Sequence, residues 1–221
     1  MKTIATGVLA LFLAAPLYGQ GLTITLQETG PGGKTSPSMQ IDKTHARLDV
    51  PSLLSQLIYD GDSKTLRHLI PLTRTYKEYT PASAQRAGAA PAQPAPAKVT
   101  YRKAGTGKVK DWTCTNYEGY RGSEKVVEVC AADGVGIGLS RADFTLVQQA
   151  LDMMKTISTP EVLDRIPVFG NVESQGYVGF PVRRVSYRDG KADITTELVE
   201  LKHDPVPAAA FALPTGFNKA P

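Results

Sequence analysis

Two cysteines, one tryptophan and three histidines are all that 221 residues contain of these types. Each scarcity excludes something. His45, His68 and His203 fall in three separate predicted strands, with no His-x-x-x-His spacing and no histidine near either cysteine. The spacing therefore offers no metal site. No Cys-x-x-Cys redox motif is present, and no Gly-x-Ser-x-Gly elbow singles out a nucleophile. Gly134, Gly136 and Gly138 make Gly-x-Gly-x-Gly rather than Gly-x-Gly-x-x-Gly, with no parallel βαβ unit around them. That stretch reads as a turn into a helix, not a dinucleotide loop. The formal charge of +4 comes without a dense basic block, so nucleic acid is not expected as a partner. No apolar run reaches the ~20 residues of a spanning helix. No cofactor, no metal and no catalysis are expected.

What is present begins with Lys2, an apolar run from Val8 to Leu17, and small or polar residues at Gly19, Gln20 and Gly21. This order is that of a secretory signal peptide, assigned to residues 1–20. No cysteine lies near its end, which excludes lipid attachment there. An exported protein, periplasmic or extracellular, works where disulfides persist and cytosolic nucleotides are absent.

The remaining chain reads as mainly β, of the α+β class. Leu22, Ile24 and Leu26 alternate with Thr23, Thr25 and Gln27, the period of a half-buried strand. Between Met39 and Val50 the apolar phase switches, which predicts a bulge or break near residues 43–45. A hairpin is expected around Asp60–Lys64. Asp189-Gly190 marks another; pairing numbers that sum to 379 then sets Tyr187 against Ala192 and Val185 against Ile194 on one apolar face. One helix is expected over residues 140–158, capped by Ser140. Its stripe is Phe144, Val147, Leu151 and Met154, broadened by Ala150, Met153 and Ile157. Residues 81–97, rich in Ala and Pro, read as a flexible loop. It either links two domains or interrupts one; a single domain over 21–221 is the reading adopted.

The two cysteines, Cys114 and Cys130, flank two runs of strand-favouring residues, Tyr117 and Tyr120, then Val126, Val127 and Val129. Their midpoint is Gly122. A hairpin centred there would place them directly opposite, with Cα atoms about 4.5–5.5 Å apart, inside the range a disulfide spans. A structural bridge is expected, and closing a ~15-residue loop stabilises by about 3 kcal/mol.

The stretches "HARLDV" (45–50), "LIYDGDSKTLRHLIPLTRTYKEY" (57–79) and "GFPVRRVSY" (179–187) resemble the exported bacterial domain of unknown function 4412. So does the close, with Phe211, Leu213, Pro214, Gly216 and Phe217. The same ending occurs in the LolA-like periplasmic lipoprotein carriers. The resemblance implies an open antiparallel sheet, curved like half a barrel, with the main helix over its concave side. It supplies no catalytic residues. Physically, Phe211 and Leu213 would pin the chain end and Pro214 with Gly216 would turn it.

Three functions stay open. One is binding or carrying a lipid or other hydrophobic ligand between sheet and helix, lined by Phe144, Val147, Leu151, Met154, Val185, Tyr187 and Ile194. These same residues can instead be plain core, leaving an envelope module that contacts a partner protein and no small ligand. A hydrolase is the third, without a visible site. Alkylation of the exported, unreduced protein should label no cysteine by mass spectrometry; two labelled thiols would contradict the bridge.

Overall fold

The computed structural model describes residues 21–87, 98–139, 141–158 and 176–220. Residues 1–20, read above as a signal peptide, and the proposed cap Ser140 lie outside the described residues, as does part of the Ala/Pro stretch. In chain order the strands are β1 (Leu22–Gly30), β2 (Gly33–Thr35), β3 (Ser38–Ile41), β4 (His45–Val50), β5 (Ser55–Asp60), β6 (Thr65–Ile70) and β7 (Thr75–Tyr79). Helix α1 (Pro81–Ala87) follows, then β8 (Thr100–Val109), β9 (Trp112–Arg121), β10 (Glu124–Ala132) and helix α2 (Arg141–Ile157). The chain ends with β11 (Phe180–Arg188), β12 (Lys191–Lys202) and the short β13 (Asn218–Lys219).

All thirteen strands belong to one open sheet. Its order is β13-β7-β6-β5-β4-β3-β1-β12-β11-β10-β9-β8, with β2 alongside β1. Most neighbours are sequential hairpins. The exception at the centre is β1 against β12, antiparallel from Thr23↔Lys202 to Thr29↔Thr195, which joins the two halves of the chain.

Alternation does what the sequence foretells in the first half. Leu22, Ile24 and Leu26 are buried while their neighbours are half-exposed. The phase switch after Ile41 is a break: Asp42 accepts from the backbone N–H of Thr44 and of His45, turning the chain between β3 and β4. Against these strands lies α2, which buries Val147, Leu151, Met153 and Met154 in the same apolar cluster as Met39, Leu48 and Leu57.

Residues 81–87 form α1, where the sequence reading placed flexible loop. Thr80 and Ser83 cap one another, with Thr80 N–H donating to Ser83 Oγ at 2.8 Å and Ser83 N–H to Thr80 Oγ1 at 3.3 Å. Pro81 suits the first helical position and alanines favour the helix. Ala84 is buried in the main cluster, so a short Ala-rich segment gains tertiary contact after all.

Two hairpins depart from simple counting. Asp189 and Gly190 both take positive φ, 52° and 71°, as their turn requires. Tyr187 does face Ala192, but Asp193 is bulged, so Ser186 faces Ile194 and Val185 faces Thr195. The β9–β10 turn is Gly122-Ser123, with Gly122 at φ 65°. A shift at Val126 then sets Cys130 opposite Asn116, not opposite Cys114. The cysteines meet on the diagonal, with Cα atoms 5.4 Å apart, and are bonded. The two-residue turn and the one-residue bulge each move the register by one, and diagonal neighbours on one face remain within reach.

The chain end straps the other side of the sheet. Phe211 is buried against Ile58 and Leu69 and stacks on His45 with centroids 5.1 Å apart. Arg47 Nη1 donates to Ala210 O at 2.8 Å. Gly216 turns at φ 85°, and β13 adds in parallel to β7. Truncating Phe211 to Ala should lower the urea-unfolding free energy by about 3–5 kcal/mol. Leu72→Ala, at a residue 78% exposed, should change it by less than about 0.5 kcal/mol. Equal effects would contradict the strap.

Candidate functional site

Two concavities stand out among the described residues. One is the seam between α2 and β3–β5, lined by Met39, Leu48, Leu57, Val147, Leu151 and Met154, among others. Its interior volume is about 20 Å³. That holds roughly one water, far below the ~300 Å³ of a small-ligand site. Val147, Leu151 and Met154 thus converge as the helix stripe requires, and Tyr59 closes the seam with its hydroxyl 3.4 Å from Gln149 Oε1. Burial pushes the Tyr59 phenol up from its usual range. The Phe144 side chain lies outside the described residues. Val185, Tyr187 and Ile194 are not part of this seam.

The second concavity is polar and holds about 200 Å³. It sits where β8–β11 run side by side, over Cys130, and register explains it. Cys130 is flanked by Asn116 on β9 and Arg183 on β11. A short side chain, drawn into the disulfide, lies between two long ones. Ala104 completes the low ground on β8. Gly107 is needed beside it, since a Cβ there would meet the Asn116 amide at 2.8 Å and Cys130 Sγ at 3.1 Å.

The next row along the strands is Glu118 opposite Glu128. Like charges directly opposed destabilise a sheet. Lys125 resolves the conflict, with Nζ 2.6 Å from Glu128 Oε1 and 3.7 Å from Glu118 Oε1. It also lies 4.6 Å from the Tyr187 ring centroid. Tyr120 donates its hydroxyl to Glu118 Oε2 at 2.8 Å, and Arg102 covers the Tyr120 ring at 4.9 Å. The Lys125 hydrogen bond holds the Glu128 carboxyl below its ordinary range, aided by one from Tyr187. Burial first, then Glu128, pushes the Tyr187 phenol up. Tyr187, expected to line an apolar cavity, belongs to this polar network. Arg183 and Asn116 make no hydrogen bond or ion pair with other described residues; Arg183 is felt by Glu128 only through its charge. No sequence signal marks this pocket: 116–118 and 128–130 form no recognisable motif, and only register brings them beside Arg183.

Elsewhere, Ser55 Oγ and His68 Nε2 lie 2.9 Å apart. Burial, then the charge of Lys77, lowers the His68 pKa. No carboxylate meets the other ring nitrogen among the described residues, so the pair is a hydrogen-bonded, half-buried histidine without the orienting group of a triad. Among the described residues no three His, Cys, Asp or Glu side chains gather as metal ligands, and no helix is long and apolar enough to cross a membrane.

This architecture, a large open antiparallel sheet with one main helix, has known counterparts. An uncharacterized conserved protein from Thermus thermophilus shares the fold at TM-score 0.51 and 12% identity, over 91% of this chain and 90% of that one. A LolA superfamily protein from Nitrosomonas europaea aligns at TM-score 0.29 and 8% identity, over 90% and 91%. A putative outer membrane lipoprotein-sorting protein domain from Vibrio parahaemolyticus aligns at 0.26 and 5%, over 89% and 90%. The last two are too remote to carry weight. No curated protein matches the chain. Residues 6–217 match the family model described as "Domain of unknown function (DUF4412)". The chain belongs to that family.

Replacing Lys125 with Met should raise the Glu128 pKa, read by carbon-detected carboxyl titration. The sign follows from linkage. A carboxyl held low stabilises the fold above its ordinary range, and that gain is lost as pH falls through the lowered value. The variant should therefore lose less stability than wild type over that acid range. An unmoved Glu128 titration would contradict the role given to Lys125.

Proposed function

We propose that this protein is an exported, non-catalytic binding module of the cell envelope, whose sheet–helix layer is scaffold rather than a container for lipid. The observation that carries this reading is the seam beneath α2, filled to within about 20 Å³. An acyl chain needs a continuous apolar channel, and packed side chains leave none. Export is supported by the apolar run after Lys2 and by the Cys114–Cys130 bridge, which persists in oxidising compartments.

A curved, half-barrel sheet fits the contact between Lys110 Nζ and Val199 O at 3.2 Å. Three strand steps separate β9 from β12, roughly 14 Å if the sheet were flat. A lysine side chain bridges that only if the sheet bends.

A second reading keeps the hydrophobic ligand. Met39 and Met154 both line the seam, and methionine adapts to irregular shapes; displacement of α2 would then admit an apolar molecule. Solvent extraction of protein purified from the exported fraction separates the two. The scaffold reading expects no lipid in stoichiometric amount by mass spectrometry. One acyl chain recovered per protein would overturn it in favour of the carrier.

A further inference from the structure

We propose that the polar pocket over Cys130 binds a small zwitterion that carries a carboxylate and an ammonium, such as a dipeptide with free ends. The anionic end goes to Arg183. Its guanidinium lines the pocket and has no hydrogen-bonding or ion-pair partner among the described residues. A planar fork with unused donors matches a carboxylate in bidentate fashion. Asn116, on the opposite wall, also lines the pocket, makes no hydrogen bond to another described residue, and supplies a neutral donor and acceptor.

The cationic end goes to Glu118. Tyr120 occupies its Oε2, whereas Oε1 has only the long 3.7 Å approach of Lys125. Lys125 sits closer to Glu128, at 2.6 Å, so Glu118 keeps acceptor capacity on the pocket side. Glu118, Glu128 and Arg183 line the pocket; with Lys125 on Glu128, Arg102 opposite Glu118 and Glu197 opposite Arg183, three charges of each sign surround it. A free monoanion or monocation would upset that balance, and a zwitterion preserves it.

Size agrees with charge. Glu118 and Arg183 stand on β9 and β11, two strand steps apart across the sheet and two residues apart along it, roughly 12 Å between backbones. Both side chains line the pocket. A dipeptide spans at most about 7 Å, which leaves room for a hydrogen bond at each end. The 200 Å³ interior is below the usual range for drug-sized ligands and suits a molecule of this class. Cys130 forms the floor, so the disulfide holds the low ground that Asn116 and Arg183 surround.

The test is calorimetric titration of the full, oxidised protein with alanyl-alanine, its Nα-acetyl derivative and its C-terminal amide. Alanyl-alanine should bind one to one, and blocking either end should weaken binding at least about tenfold. Arg183→Ala should weaken alanyl-alanine about 10- to 100-fold and abolish discrimination against the amide. Glu118→Gln should abolish discrimination against the acetyl derivative. No binding of alanyl-alanine at millimolar concentration overturns the proposal, as does equal binding of all three probes. The three-probe comparison uses the unaltered protein, so it stands even if a variant folds poorly. Unchanged affinity in a folded Arg183→Ala protein also overturns it.

Discussion

The backbone ladder between β1 and β12 is the constraint on which everything else rests. It joins strands from residues 22–79 to strands from residues 100–202. Contacts so distant in sequence cost chain entropy before they return anything. Burial repays it. Leu26 and Leu198 face each other across this ladder, both buried. Helix α2, from the second half, packs on strands of the first. Each half thus covers apolar surface that the other exposes, and neither has a complete core alone.

Much of this was legible in the sequence, and the limits were physical. Period-two alternation located β1, and a break in phase located the β3–β4 turn. Asp189-Gly190 and the stripe from Val147 to Met154 located a hairpin and a helix. The closing Phe211, Pro214 and Gly216 act as their chemistry suggests. What counting could not supply is the bulge. Single-residue shifts at Val126, beside Val182 and at Asp193 move every later pair by one, and a bulge leaves no residue signature. The pocket was invisible for the same reason. Cys130 becomes a floor only when register places Asn116 and Arg183 beside it. Helix α1 was missed differently: Thr80, Pro81 and Ser83 were a start signal, outweighed by the low-complexity composition that follows them.

The two concavities divide the work. The apolar seam beneath α2 is filled by side chains to within about 20 Å³. The polar pocket lies on strands stapled by the chain's one disulfide, and its side chains retain unused hydrogen-bonding capacity.

Native-state hydrogen exchange tests the central claim, one cooperative sheet joined at β1 and β12, most directly. Amides of β5, in the first half, and β11, in the second, should exchange with the same free energy, that of global unfolding. Two separate protection levels, with one half opening while the other stays closed, would contradict it.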